Sequence, residues 1–111
     1  MISTQQRVTK RLFSESFSNS KIASNDYLTL RYKGFSGELS KISVVVSKKV
    51  LQKATDRNTL KRRLYDIVLN LVKKTEKPYV LMVFPKKGAT TLPFSVLQKE
   101  TKDLLVKARI I

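Results

Sequence analysis

Residues 47–63 read SKKVLQKATDRNTLKRR, a segment with seven cationic side chains, one carboxylate and a local net charge of +6. Apolar residues that begin at Leu60 continue beyond it at the i+3 and i+4 spacing of one helical face, which predicts that the basic residues start a helix. A rigid element that carries clustered Lys and Arg suits a polyanion of fixed shape, and structured RNA is the leading candidate. The cations are Lys48, Lys49, Lys53, Arg57, Lys61, Arg62 and Arg63.

The size and composition of the chain indicate one basic domain. Its 111 residues, 41% of them hydrophobic, are enough for a single modest core. A formal net charge of +15 and a pI near 10.4 indicate nucleic acid or an anionic membrane surface as the partner. The sequence contains no cysteine, which excludes disulfides and fits a reducing compartment. No run approaches the roughly 18 apolar residues of a membrane span, so we expect a cytoplasmic protein without membrane association.

The residue types that carry most enzyme chemistry are missing from the sequence. Without His or Cys, the common nucleophilic triads cannot form, and the usual zinc ligands are absent. The eight carboxylates are scattered without metal-binding spacing, and none of the three glycines belongs to a phosphate-binding loop. We therefore expect no catalytic residue and no metal site in the chain itself.

The N-terminal quarter of the sequence predicts an arm, a helix and a loop. Residues 1–8 show no periodicity and are expected to form a flexible basic arm, so that residues 9–111 make up the single RNA-binding domain. Thr9 is placed to cap a helix that ends near residue 18. Residues 18–25 are rich in Ser and Asn, which is typical of a loop.

The next part of the sequence predicts two strands. Residues 27–32 and 41–47 alternate between apolar and polar side chains, as half-buried strands do. Residues 33–38 contain two glycines and are expected to join these strands as a hairpin loop.

The rest of the chain completes an α+β fold. The long helix is expected at residues 55–73, and residues 79–84 form a strand that is apolar on both faces. A last helix begins at Thr91 or Leu92, and one further short strand near Leu39 would bring the sheet to about four strands. The predicted order is α-β-β-(β)-α-β-α, with helices packed on a small sheet.

The basic segment has two interpretations. Residues 48–63 could form an ordinary solvated helix face, but the local excess of cations coincides with the charge of the whole chain, which favours contact with RNA or DNA. Asn58 could satisfy backbone donors at the start of the helix or bond a phosphate or sugar.

The aromatic residues also have two interpretations. Phe13 and Phe17, four residues apart, could pack into the core or form an aromatic wall on which an unpaired base stacks. The same question applies to Tyr27 and Tyr32, for which core packing is favoured.

The segment SVVVSKKVLQKATDRNTLKRRL, residues 43–64, resembles the signature of the bacterial ribonuclease P protein component. That family carries a strand ending in Ser-Lys-Lys-Val, then Ala, then Arg-Asn-Arg, then Lys-Arg on a helix. Its N-terminal Phe-x-x-x-Phe is similar to Phe13 and Phe17, and the order of elements agrees over residues 9–108. The matching residues of the central motif are Ser47, Lys48, Lys49, Val50, Ala54, Arg57, Asn58, Lys61 and Arg62.

Three positions depart from the family pattern. Thr59 stands at the third position of Arg-Asn-Arg, Ser43 replaces the glycine usual in the second strand, and Tyr65-Asp66 replaces the Arg-Glu that often follows. The departure at Thr59 removes one RNA contact of the family, for which Arg63 could compensate.

The resemblance implies both a fold and a function. The fold is similar to the second domain of ribosomal protein S5, with a left-handed β-α-β crossover where ordinary topology would be right-handed. In the implied function, a large catalytic RNA with bound magnesium removes the 5′ leader of precursor tRNA, and the protein assists without an obligate protein partner. The implied contacts to the ribozyme core are Lys48, Lys49, Lys53, Arg57, Asn58, Lys61, Arg62 and Arg63. The implied leader cleft, between the first helix and the sheet, contains Arg11, Phe13, Phe17 and Tyr32.

Two other functions compete with this one. A ribosomal or general structured-RNA-binding protein on the same fold would need the cations but not the Phe13/Phe17 cleft. A nuclease that acts without an RNA cofactor would need catalytic groups that the sequence lacks, which makes it the weakest hypothesis.

Overall fold

The computed structural model of the chain describes residues 8–37, 39–73, 75 and 77–111, so the predicted arm lies outside it except for Val8. The helices are α1 (Lys10–Phe17), α2 (Ala54–Val72) and α3 (Phe94–Lys107). The strands are β1 (Lys21–Ser24), β2 (Leu28–Gly34), β3 (Lys41–Val44) and β4 (Tyr79–Pro85). A short 3-10 helix at Lys87–Thr91 precedes α3.

The four strands form one mixed sheet in the order β1-β2-β4-β3. The β1/β2 and β2/β4 pairs are antiparallel, whereas β3 and β4 are parallel. Adjacent parallel strands cannot be joined by a tight turn, and here α2 makes the crossover from β3 to β4. The α+β architecture and the four-stranded sheet predicted from the sequence are therefore confirmed.

The Ser- and Asn-rich residues 18–25 contain β1 and are not only a loop, so that part of the prediction was wrong. β1 is an edge strand that pairs with β2 from Lys21↔Tyr32 to Ser24↔Thr29. One of its four residues is partly buried and the others are exposed. It therefore lacks the apolar alternation by which strands are found in a sequence. Leu39, near which the further strand was expected, lies in a bend outside the sheet.

The expected hairpin between the second and third strands was also wrong, because β4 lies between β2 and β3. Five of the seven residues of β4 are buried. A strand that is apolar on both faces must be covered above and below and paired on both sides, which requires the centre of the sheet. The connection from β2 to β3 therefore leads to the far edge of the sheet and not to the strand beside β2. Glu38, within the expected hairpin loop, lies outside the described residues.

Helices cover both faces of the sheet. On one face α2 and α3 pack against β2, β3 and β4, and Leu64, Ile67 and Leu81 are at most 1% exposed there. The other face carries α1, whose Phe13 ring centroid lies 6.4 Å from that of Phe84. The Thr9 hydroxyl accepts a hydrogen bond from the Leu12 amide at 3.2 Å, so the predicted cap of α1 is confirmed.

Within the described residues, no helix is long and apolar enough to cross a membrane.

Truncating the core side of α2 tests this packing. Leu64 is 0% exposed, so Leu64→Ala should lower the free energy of unfolding by about 2–5 kcal/mol through lost burial and a residual cavity. Asn70→Ala, on an exposed position of the same helix, should change it by less than about 0.5 kcal/mol. Urea denaturation followed by circular dichroism measures both variants. Equal losses would contradict the assignment of the core face.

Candidate nucleic-acid interface

The predicted basic residues lie together at the N-terminal end of α2, and we call this group the α2 ridge. Lys48 and Lys49 occupy the turn before the helix, and Lys53 is the N-cap residue. The positive end of the helix dipole lies beside them and adds to the attraction for anions. The ridge consists of Lys48, Lys49, Lys53, Arg57, Asn58, Lys61, Arg62 and Arg63. All of these side chains are exposed except Arg57 and Lys61, which are partly buried.

Arg57 links the loop of residues 48–53, which precedes α2, to the first turn of that helix by hydrogen bonds. Its Nη1 donates hydrogen bonds to the carbonyl oxygens of Leu51 at 2.9 Å and Gln52 at 2.6 Å. The loop is tightened further because the Val50 and Leu51 amides donate to the Ser47 carbonyl. Arg57 lies close to the helix start, as predicted, but its guanidinium also has a structural role that the sequence did not reveal.

The ridge cations have no carboxylate partner in the part of the chain that the structure describes. The ion pair recorded there joins Arg11 to Glu15 on α1, with 3.1 Å between Nε and Oε1. The described ridge is therefore an open cationic surface and not an internal ion-pair network. Thr59 does not add to this surface, because its hydroxyl donates to the Thr55 carbonyl at 3.0 Å.

A second candidate surface, which we call the aromatic cleft, lies between α1 and the sheet. It consists of Phe13, Phe17, Phe84 and Arg31. The Phe13 and Phe17 rings stack with 5.8 Å between centroids, and Phe84 meets both rings edge-on at 6.4 and 6.2 Å. The Phe17 side chain remains 39% exposed. The structure therefore brings the two predicted phenylalanines together beside the sheet.

Arg31 closes one side of the aromatic cleft. Its guanidinium carbon lies 3.9 Å from the centroid of the Phe17 ring, and its Nη1 donates to the Phe17 carbonyl at 3.1 Å. No sequence pattern had pointed to Arg31 or Phe84 as site residues. The alternation of β2 could have indicated Arg31, which shares the α1 side of the sheet with Thr29. Phe84 gave no signal, because β4 is apolar on both faces.

Two residues of the predicted leader cleft lie elsewhere. Tyr32 pairs with Leu81 and packs on the core formed by α2 and α3, on the opposite face of the sheet from Phe84. Residues of a strand alternate between faces, so Tyr32 shares its side with Leu30 and cannot line the same cleft as Phe13. Arg11 is two positions from Phe13, almost opposite to it around α1, and pairs with Glu15.

No group of three or more His, Cys, Asp or Glu residues in the described ranges could hold a metal ion.

Comparison with known proteins identifies the family. The family model described as Ribonuclease P matches residues 2–109. This chain belongs to the ribonuclease P protein family. The ribonuclease P protein component of Prochlorococcus marinus strain MIT 9301 is 36% identical over 86 residues, which are 76% of this chain and 66% of that protein. The match thus spans slightly less than two thirds of this relative's length.

Solved structures of the family share the fold. The ribonuclease P protein of Thermotoga maritima superimposes with a TM-score of 0.80 at 25% identity, covering 91% of this chain and 96% of that one. The Staphylococcus aureus protein gives a TM-score of 0.84 at 17% identity, with 95% and 96% coverage. These likenesses show the shared fold, while the family model and the Prochlorococcus relative confirm the family resemblance inferred from residues 43–64.

Two of the three ridge arginines, Arg57 and Arg62, should differ in their effect on stability. Arg57→Ala removes two hydrogen bonds that join the loop to α2, so it should lower the free energy of unfolding by about 1–2 kcal/mol. Arg62→Ala, on an exposed position, should change it by less than about 0.5 kcal/mol. Urea denaturation without RNA measures both. If Arg57→Ala left the free energy of unfolding unchanged, the hydrogen bonds from Arg57 to the loop would not stabilise the fold.

Proposed function

We propose that this chain is the protein subunit of ribonuclease P and assists a catalytic RNA in removing the 5′ leader of precursor tRNA. The observation that carries the proposal is the open cationic ridge on a member of the ribonuclease P protein family. The separate aromatic cleft supports the second part of the role, contact with the single-stranded leader. A general RNA-binding role would not require that cleft.

In this proposal, the ridge docks on the folded core of the catalytic RNA. Each phosphate that a Lys or Arg neutralises releases condensed counterions, which provides affinity that depends strongly on salt. Arg62 and Asn58 lie on the exposed face of α2, where a guanidinium can donate two hydrogen bonds to one phosphate and an amide can add another. Arg57 keeps the loop with Lys48 and Lys49 beside the helix, so the cations reach the RNA as one preformed surface.

The aromatic cleft would hold the leader. Base stacking on aromatic side chains tolerates any sequence, because every base has a π face. Phe17 is 39% exposed, and the Arg31 guanidinium lies over one face of its ring, from which it could meet a phosphate of the same strand. Protein contacts to the leader would be present in the substrate and absent from the mature product.

Bond cleavage is assigned to the RNA. The chain has no His or Cys, and its described carboxylates do not gather into a metal site. Magnesium would be bound mainly by the RNA, where the protein cations reduce the repulsion between RNA segments that must approach each other. The proposal places the complex in the cytoplasm, which agrees with a sequence free of cysteine.

Cleavage of precursor tRNA tests the role. The cognate ribonuclease P RNA should cleave faster at low magnesium when this chain is added, and the chain alone should not cleave. Arg62→Ala should weaken binding to that RNA and make the dependence of log K on log salt shallower by about one unit. Lys99→Ala, on an exposed position of α3, serves as the charge-matched control. Absence of stimulation by the unaltered chain would overturn the proposal.

The aromatic cleft should act on the leader alone. Phe17→Ala should reduce the affinity of the complex for precursor tRNA by about 1–3 kcal/mol per lost base stack. Affinity for mature tRNA should not change, because mature tRNA has no leader. Phe94→Ala, which removes an exposed ring on α3, provides the control. Equal losses for precursor and mature tRNA would show that Phe17 does not contact the leader.

A further inference from the structure

A second basic surface lies at the opposite end of α2 from the ridge, and we call it the distal hollow. It consists of two adjoining open cavities of about 730 and 510 Å³, which share Tyr79 and Arg109. None of the described residues that line them has a carboxylate side chain. The cationic lining residues are Lys21, Lys33, Lys77, Lys102, Lys107 and Arg109. This number of cations is close to that of the ridge, although neither the sequence motif nor the proposed function involves them.

The topology places the distal hollow at the opposite end of α2 from the ridge. The helix starts after β3 ends and finishes before β4 begins, and Asn70 and Tyr79 from that far end line the hollow. Thirteen residues separate Arg57 from Asn70, which corresponds to about 20 Å along the helix axis. A single phosphate contact therefore cannot involve both surfaces.

Arg109, which lies between the two cavities, has a backbone conformation that favours glycine. Its φ is 60°, and it is the position after the C-cap residue Ala108. Its amide donates to the Val106 carbonyl at 2.9 Å, and the Ile110 amide donates to the Leu105 carbonyl at 3.0 Å. This pair of bonds is the Schellman motif, in which glycine avoids the steric cost of a Cβ. At this position the chain has Arg109 despite the steric cost of its Cβ, and the arginine places a guanidinium between the two cavities.

Helix dipoles explain only part of this charge. Lys107 and Arg109 lie at the C-terminus of α3, where cations stabilise the exposed carbonyl groups. Lys21 and Lys33 belong to β1 and β2 and have no helix terminus to neutralise. Their presence beside the helix-end cations concentrates positive charge beyond what the helices need.

We infer that the distal hollow is a second contact for the phosphate backbone of the ribonuclease P RNA, remote from the segment bound by the ridge. This inference rests on the proposed function. The hollow is broad and cationic, which suits a phosphodiester chain more than an apolar ligand. The longest dimension of the protein is 35 Å, so a large folded RNA held at the ridge can reach the other end of α2. Tyr32 and Ala108 line the hollow on the α3 side of the sheet, whereas Asn19 and Lys33 lie at its border with the aromatic cleft proposed for the leader. The test must therefore separate the ribonuclease P RNA from the leader as the occupant.

Salt-dependent binding of the cognate RNA, without precursor tRNA, tests the inference on the full chain. Lys21→Gln/Lys102→Gln should weaken binding roughly tenfold and make the slope of log K against log salt shallower by about 1.5–2 units. The control Lys87→Gln/Lys99→Gln removes the same charge from residues that line neither cavity, and its slope should stay within about 0.5 unit of the unaltered chain.

Arg109→Gly separates RNA contact from stability. Glycine relieves the strain at φ 60°, so the thermal midpoint should rise while RNA affinity falls several-fold. The inference would be overturned if Arg109→Gly raised the thermal midpoint without changing RNA affinity, and if Lys21→Gln/Lys102→Gln bound RNA with the same salt dependence as the control Lys87→Gln/Lys99→Gln. If only binding of precursor tRNA weakened, the occupant would be the substrate and the inference would equally fail. If Arg62→Ala weakened RNA binding while both hollow variants bound RNA normally, the proposed function would still be supported, but the second contact would not exist.

Discussion

The parallel pairing of β3 with β4 is the constraint on which the functional surfaces depend. It requires a crossover helix, and that helix must start at the end of the sheet where β3 finishes and end where β4 begins. The cations that follow β3 in the sequence are thereby gathered at one end of α2. The two hydrogen bonds from Arg57 to the loop carbonyls then fix the turn against the helix. A hairpin between β2 and β3 would have placed the same cations on a different part of the domain.

The charge of the chain would make folding and the proposed RNA binding interdependent. The chain has a formal net charge of +15, and the ion pair recorded among its described residues is the exposed Arg11–Glu15 contact. Folding therefore brings together like charges that would lie farther apart in the unfolded chain. The core formed by Leu64, Ile67, Leu81 and their neighbours offsets this repulsion. A polyanion that binds the folded state relieves the repulsion directly and stabilises the fold by mass action. The separation of cations between the ridge and the distal hollow also limits the repulsion at either end of α2.

The sequence predicted the features that depend on strong local patterns. The helical spacing from Leu60 onward, the Thr9 cap and the apolar run of β4 each identified their element. The pairing of β2 with β4 was not predicted. Local patterns do not show that β4, which needs burial on both faces, takes the place beside β2 that β3 would occupy in a hairpin. β1 was missed because its exposed residues carry no periodic signal. Among the site residues, Phe13 and Phe17 lie beside each other as expected. Tyr32 packs on the core, as its strand pattern favoured, and not in the leader cleft that the family resemblance implied for it. The contact of Arg31 with Phe17 depends on how α1 lies on the sheet, which the local sequence does not specify.

The contact between Arg31 and Phe17 bears on how a leader of any sequence could be held. The guanidinium already occupies one face of the Phe17 ring and is tied to the Phe17 carbonyl, so an incoming base must use the exposed part of the ring or displace the arginine. If a base displaced Arg31, the ring would lose a cation–π contact and gain a base stack, which contributes about 1–3 kcal/mol. The released guanidinium could then meet a phosphate. Neither route involves hydrogen bonds to base edges, which are the contacts that read sequence. Under the proposed function, a cleft built in this way would bind single strands by their backbone and ring faces. Such binding would suit substrates that share a mature tRNA body but differ in their leaders.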